Sequence, residues 1–129
     1  MTKEEILGGN KLIANFMIDD KGVLTLPNCV HSADFEVNSI EDLFYEEEDY
    51  EELKYHKSWL WIMPVVDKIE SIGSNSVTIG KAVCDIQPIM YDIKKDRMDF
   101  KPKIIGMGST KIVNLWNAIV EYIKIYNKK

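Results

Sequence analysis

The sequence predicts an α+β fold, with a small antiparallel sheet of three to four strands and about three helices layered as an α/β/α-type sandwich. Apolar residues recur at helical spacing near both ends and in the middle of the chain. By contrast, the segment 76–86 is rich in β-branched residues and is interrupted by Gly80. Because 129 residues is the length of one ordinary domain, we expect a single domain over 1–129.

The first and last helices are predicted from cap residues that precede amphipathic stretches. Thr2 and Glu5 have the spacing of a capping box, so the first helix is expected to begin after Thr2. The last helix is expected to follow a cap at Ser109 and to cover 110–127. Its predicted apolar stripe contains Ile112, Leu115, Trp116, Ile119, Ile123 and Tyr126, with Asn114, Asn117, Glu121, Lys124 and Lys128 on the opposite side.

A middle helix is predicted between Ser58, as its cap, and about Ser71. Pro64 complicates its first turns, because proline lacks the N–H that a helix interior needs and collides with the preceding turn. The helix is therefore expected either to kink at Pro64 or to begin near Met63.

The strand predictions rest on β-branched runs bounded by turn residues. Residues 23–26 are predicted to form an edge strand that Pro27 closes. The run 76–86 predicts either two paired strands or one bulged strand, which Pro88 is expected to end. After a polar turn, the segment 98–105 is expected to return antiparallel to it.

The segment at about 28–56 lacks periodicity and predicts an exposed acidic loop, since eight of the twelve positions from Glu41 to Glu52 are acidic. Acids interleaved with aromatic residues could contact a basic protein surface or imitate DNA phosphates. The favoured alternative is that the aromatic rings pack against the domain while the carboxylates only solvate the loop. The partner-binding candidates are Phe44, Tyr45, Glu46, Glu47, Glu48, Asp49 and Tyr50.

Charge is distributed unevenly along the chain. Residues 1–56 hold 4 Lys or Arg and 14 Asp or Glu, a net charge of −10, whereas residues 93–129 hold 9 and 3, a net charge of +6. The two halves are expected to attract each other or to present solvated faces, and self-association is a further possibility. A generic nucleic-acid-binding function is disfavoured by the acidic balance.

The sequence predicts a cytoplasmic protein. The start of the chain lacks the basic and apolar pattern of an export signal, and the longest apolar stretch, 59–66, is too short to cross a membrane. Cys29 and Cys84 are expected to remain reduced thiols.

A glycine turn before the last helix is the candidate anion-binding site. Strand, turn and helix N-terminus can together direct free N–H groups at an anion. The spacing departs from that of a nucleotide-binding loop, so two glycines making a turn is the favoured interpretation. The candidate residues are Gly106, Gly108, Ser109, Thr110 and Lys111.

Metal and catalytic sites are not predicted. Ligand types for zinc occur at Cys29, His31, His56 and Cys84, but no pair has the spacing of a zinc motif. The chain lacks a G-x-S-x-G elbow, and its clustered carboxylates lie in the acidic segment. We therefore expect no catalytic residue, no metal, no cofactor and no enzyme activity.

Three segments resemble the phage ABA sandwich family: 9–17, 55–70 and 109–127, with a Trp-x-Trp-x-Met-Pro-Val-Val pattern at 59–66. The resemblance implies helices on both sides of a sheet and a phage or prophage protein acting in the cytoplasm of a bacterial host. It brings no activity and no catalytic residues. The chain departs from the family at Leu60 and Ile18. Among the aromatic and proline positions, we interpret Trp59, Trp61, Pro64 and Trp116 as packing residues.

These observations predict a non-enzymatic accessory protein that binds a host or phage protein through its acidic segment. The alternative is an anion- or small-ligand-binding protein that uses the glycine turn. Neither nucleic acid nor a membrane is an expected partner.

Overall fold

The computed structural model describes residues 2–19, 24–26, 29–31, 50–72, 74–92, 94, 96–100 and 102–128. The helices are α1 (Lys3–Met17), α2 (Trp59–Ser71) and α3 (Lys111–Asn127). The strands are β1 (Leu24–Leu26), β2 (Cys29–His31), β3 (Ser74–Ile79), β4 (Val83–Asp92), β5 (Arg97–Phe100) and β6 (Ile104–Met107). The predicted α+β class, with three helices and a small antiparallel sheet, is confirmed.

The chain divides into two compact units, an N-terminal unit (Met1–Ile62) and a C-terminal unit (Met63–Lys129). The single domain expected from chain length stays a prediction. No helix in the described part of the chain is long and apolar enough to cross a bilayer.

Helix α1 begins where the capping box predicts. Thr2 is the N-cap, and its hydroxyl accepts a hydrogen bond from the backbone N–H of Glu5 at 3.2 Å. One face of the helix is buried, and Leu24 of the neighbouring β1 is fully buried in the same unit. The buried α1 residues are Gly9, Asn10, Ile13, Ala14 and Phe16.

The exposed loop predicted at about 28–56 is contradicted at 29–31 and at 50–57, the two parts of it that the structure describes. Strand β2 occupies 29–31 and pairs antiparallel with β1. Further along, Tyr50, Leu53 and Tyr55 are buried, and the Tyr55 ring meets Trp61 edge to face with centroids 5.3 Å apart. The acidic composition of the segment did not indicate these buried side chains, whose burial favours a packed position of the segment over an exposed loop. Residues 32–49 lie outside the described part of the chain.

Helix α2 begins at Trp59, so the alternative start near Met63 is wrong. The backbone carbonyl of Ser58 accepts the first helical bonds, from Trp61 and Ile62, both at 3.1 Å. Pro64 lies on the exposed side, where the carbonyl that loses its helical donor is not enclosed by packing.

The aromatic and proline positions interpreted as packing residues divide into two groups. Trp61 and Trp116 are buried, as expected of packing residues. Trp59 is 42% exposed and Pro64 is exposed, so the packing interpretation is wrong for these two. Both lie on the solvent side of α2, which helical periodicity alone did not separate from its buried side.

Strand β4 is the centre of the sheet in the C-terminal unit. Strand β3 pairs along one of its edges, and β6 and then β5 pair along the other, so the sheet is three strands wide. The β3–β4 hairpin turns at Gly80, which confirms the alternative of two paired strands. Asp96 adopts a positive φ of 50° in the polar turn between β4 and β5.

Pro88 does not end the strand as predicted, because β4 continues to Asp92. On one edge of β4 the pairing with β6 reaches Ile86 and the pairing with β5 starts at Ile89. Pro88 lies in the gap between the two pairings. A missing N–H is tolerated where no described neighbour on that edge requires it.

Helix α3 packs on β4 and β6. Its N-cap is Thr110 instead of the predicted Ser109, and the Thr110 hydroxyl accepts from the Val113 N–H at 3.2 Å. Asn114 was predicted to lie on the polar side but is fully buried, because its Nδ2 donates to the Lys81 carbonyl at 3.2 Å. The buried α3 residues are Asn114, Leu115, Trp116, Ala118, Ile119, Val120, Tyr122 and Ile123.

We expect Gly8→Ala to raise the free energy of unfolding by about 0.5–1 kcal/mol, because alanine allows the unfolded chain fewer backbone conformations than glycine does. Gly8 is exposed in α1, and an added Cβ would meet no atom within 4 Å. Urea unfolding followed by circular dichroism measures the change. A loss of stability would contradict the open space described around this residue.

Candidate functional site

A pocket of about 290 Å³ lies in the N-terminal unit between α1 and residues 50–57. Helix α1 forms one wall, and the segment that precedes α2 forms the other. The volume is at the lower end of the roughly 300–1,000 Å³ typical of small-ligand sites. The lining residues are Lys3, Ile6, Leu7, Asn10, Tyr50, Glu51, Leu53, His56 and Lys57.

Asn10 is the buried polar residue of this pocket, with 1% of its surface exposed. Its Nδ2 donates to the backbone carbonyl of Leu53 at 3.1 Å and lies 3.0 Å from Nδ1 of His56. A carbonyl oxygen only accepts hydrogen bonds, so the NH₂ end of the Asn10 amide must face Leu53. The same NH₂ group then donates its second hydrogen to His56.

This arrangement determines the tautomer of His56. Since Asn10 Nδ2 can only donate, Nδ1 of His56 must accept, and the ring proton resides on Nε2. Burial lowers the pKa of His56, and the neighbouring Lys57 lowers it further, so the neutral ring is favoured. Nε2–H has no hydrogen-bond partner among the described residues and is a free donor on a pocket-lining side chain.

Charged residues also line the pocket. Lys3 Nζ and Glu51 Oε1 form an exposed ion pair at 2.6 Å, and Lys57 is exposed beside His56. Among the described lining residues, two lysines and one glutamate leave one net positive charge. Nearby, Lys11 Nζ lies 4.2 Å from the centroid of the Tyr50 ring, a cation–π contact.

Leu7 and Tyr50 also line a second depression, of about 410 Å³, together with Glu4, Gly8 and Lys11. We prefer the first pocket as the candidate site because it contains the buried Asn10 and the oriented His56. The described lining residues of the second depression include neither an asparagine nor a histidine.

The oriented tautomer favours binding over proton abstraction. A histidine acts as a general base through an unprotonated nitrogen that reaches the substrate. Here the unprotonated Nδ1 is occupied by Asn10, and the nitrogen left free carries the proton. His56 can therefore donate a hydrogen bond to a ligand acceptor in the pocket.

Stability is expected to decrease as the pH falls below about 6.5, the ordinary pKa of histidine, because the unfolded chain then binds a proton that folded His56 resists. The loss continues until the pH reaches the lowered pKa of the folded state. Chemical denaturation at pH 7.5 and pH 5.5 measures the difference. The variant His56→Gln, which retains an acceptor for Asn10, should lose less stability over this interval. An equal loss in both proteins would contradict the prediction.

Of the predicted partner-binding residues, the structure describes Tyr50. It is 7% exposed, in agreement with the interpretation that aromatic residues of this segment pack against the protein. The other six, Phe44, Tyr45, Glu46, Glu47, Glu48 and Asp49, lie outside the described residues.

In the glycine turn, Gly106 is required by the close packing of β6 against α3. Gly106 lies within β6, and a Cβ there would overlap backbone atoms of Asn114 and Ala118 in α3. The Thr110 hydroxyl already accepts from one N–H of the helix start, while Ser109 and Lys111 are exposed.

Asn114 lies close to this turn, and its carboxamide oxygen is buried. Among the described residues, Asn114 Oδ1 has no hydrogen-bond partner. It lies 3.3 Å from the position that a Cβ on Gly108 would occupy. An acceptor at this position repels an anion, so the buried oxygen does not favour anion binding here.

Cys84 is a buried packing residue of β4. Its thiol lies 3.8 Å from the Gly80 carbonyl and 3.6 Å from that of Lys111, and burial raises its pKa. A thiol of this kind resists ionisation. Within the described ranges, no three His, Cys, Asp or Glu side chains are placed to hold a metal ion.

Asn10 and His56 were not singled out together by the sequence, because they are 46 residues apart and share no motif. The available signal was the position of Asn10 between apolar residues on the inner side of α1. A polar residue there predicts a buried hydrogen-bond partner but does not identify it.

No family model, curated protein or solved structure matches the chain. Membership of the phage ABA sandwich family stays a hypothesis based on the residues quoted above.

Proposed function

We propose that this chain is a non-enzymatic binding protein and that the pocket containing Asn10 and His56 holds a small ligand. The observation that carries the proposal is the Nε2–H donor of His56, oriented by a fully packed asparagine and without a described partner. A donor of this kind at a pocket wall suits a ligand acceptor.

Pre-organisation of the pocket supports the same proposal. Asn10 is held at once by the Leu53 carbonyl and by His56, so the ring does not need to be ordered when a ligand arrives. Leu53 is fully buried and forms part of the lining. A rigid wall of this kind reduces the entropy lost on binding.

A fragment library screened by ¹H–¹⁵N NMR tests the proposal. Binders in this pocket should shift the side-chain amide of Asn10 and the backbone signals of Leu53 and His56. The variant Ile6→Trp places a large ring on the half-buried α1 wall of the pocket and should abolish these shifts. Ile125→Trp, at an exposed position of α3, is the matched control and should leave binding unchanged.

Fragments that shift other residues only, or that bind Ile6→Trp as well as the parent protein, would overturn the assignment of the pocket. Circular dichroism of both tryptophan variants verifies that the fold is retained.

A second proposal is the binding of a host or phage protein through the acidic segment. Its support is the density of acids from Glu41 to Glu52. Two residues of this run, Tyr50 and Glu51, also line the pocket. A pull-down from bacterial lysate compares the intact protein with a variant in which the acids at 46–49, 51 and 52 are changed to Gln or Asn. Capture of the same protein by both forms would refute a role for the acidic segment.

A further inference from the structure

We propose that the ligand of the pocket is a monocarboxylate with an apolar body, an inference that rests on the proposed function. The carboxylate is held by His56 Nε2–H and the Lys57 ammonium group, and the apolar body lies against Ile6 and Leu7.

The polar end of the pocket selects an acceptor. Asn10 occupies Nδ1 of His56, so the ring offers the ligand a donor and no acceptor. Lys57 follows His56 in the chain, lines the same pocket, and adds three N–H donors with a positive charge. A carboxylate accepts hydrogen bonds from both groups and also neutralises the charge of the ammonium group, which a neutral amide cannot do.

The charge balance favours a single negative charge on the ligand. Lys3 already pairs with Glu51 at 2.6 Å, so among the described lining residues Lys57 is the lysine that remains for the ligand. A phosphate monoester carries close to two negative charges at neutral pH, and its second charge would have no matching cation among the described lining residues. One available lysine therefore matches a carboxylate better than a phosphate.

The apolar residues define the other end of the ligand. Ile6 and Leu7 are half-buried on α1, and Leu53 is fully buried opposite them. A ligand with a short hydrocarbon or side-chain body removes the remaining exposed surface of Ile6 and Leu7 from water. A highly polar acid would leave this surface without a partner.

Two sources provide this chemistry: a free organic acid, or the C-terminal carboxylate of a polypeptide that ends in an apolar residue. Hexanoate represents the first source and N-acetyl-leucine the second. Hexanamide and N-acetyl-leucinamide have the same size and shape without the charge, so each acid has its own neutral control.

The experiment is an NMR titration of the intact protein with the four compounds. At least one acid should bind about 5- to 10-fold more tightly than its amide, as expected for a charge-assisted hydrogen bond. Lys57→Gln should weaken binding of that acid several-fold and leave binding of the amide unchanged. Lys103→Gln, at an exposed position in the C-terminal unit, is the control and should change neither.

Carboxylate-dependent binding of hexanoate supports a free acid as the ligand, and carboxylate-dependent binding of N-acetyl-leucine alone supports a polypeptide C-terminus. Amides that bind as tightly as the acids would overturn the inference while the pocket remains a ligand site. If none of the four compounds shifts the Asn10 and His56 signals, the inference is wrong, and the fragment screen decides the proposed function independently.

Discussion

Gly106→Ala is expected to lower the free energy of unfolding by about 3 kcal/mol, near the upper end of the effects of overpacking. The added Cβ would overlap the carbonyl oxygen of Asn114 and the amide nitrogen of Ala118, both backbone atoms of α3, and would lie 2.8 Å from the Ala118 Cβ. A helix backbone cannot rotate away as a side chain can. The substitution therefore forces α3 away from β6, which reduces the packing that buries its apolar face.

Gly108→Ala is the matched control, two residues further along the same turn. Its Cβ would approach Val113 Cγ1, at 2.5 Å, the end of a side chain that can move. We expect a loss below about 1 kcal/mol. Urea unfolding followed by circular dichroism compares the two variants. If Gly106→Ala is no less stable than Gly108→Ala, the close approach of β6 to α3 is not required for the fold.

The parts of the fold that the sequence predicted are those specified by local chemistry. Thr2 and Glu5 satisfy the start of α1 within one turn, and their spacing alone identifies the helix start. Gly80 separates two β-branched runs, and the chain reverses there into a hairpin. Signals of this kind depend on residues that are close together in the chain, so they can be identified from a single sequence.

The failures depend on partners that are distant in sequence. Pro88 is tolerated in β4 because of where β5 and β6 stop pairing, which the proline itself does not indicate. Asn114 is buried because the Lys81 carbonyl, 33 residues away, accepts its hydrogen bond. The helical pattern predicts Asn114 on the polar side because its side chain is polar. The pattern carries no information about the Lys81 carbonyl, which makes burial of that side chain favourable.

The candidate site was missed for a related reason. The conspicuous composition of the acidic run predicts a contact there, whereas the pocket is formed where Leu53 and His56 meet Asn10. Tyr50 was grouped with the acids by its position in the sequence, although its burial places it with the packing residues. Composition describes how a segment is solvated and does not reveal which of its side chains turn inward.

The second large effect is expected at Asn10. Asn10→Ala should lower the free energy of unfolding by about 2–4 kcal/mol, because it leaves the Leu53 carbonyl and His56 Nδ1 without their donor and opens space in a buried position. Asn117→Ala is the matched control. This substitution removes the hydrogen bond from Asn117 Nδ2 to the Met107 carbonyl, which is 2.6 Å long and exposed. Because water can replace an exposed hydrogen bond, we expect the free energy of unfolding to fall by less than about 1 kcal/mol.

A double-mutant cycle separates the Asn10–His56 contact from the rest of this loss. The four proteins are the parent, Asn10→Ala, His56→Phe and the double variant, each unfolded in urea at pH 7.5. If the bond between Asn10 Nδ2 and His56 Nδ1 orients the ring, the two substitutions should be non-additive by about 1 kcal/mol. Additive losses would mean that Asn10 stabilises the protein through Leu53 alone. His56 would then have no fixed tautomer, and the argument for a pre-organised donor in the pocket would fail.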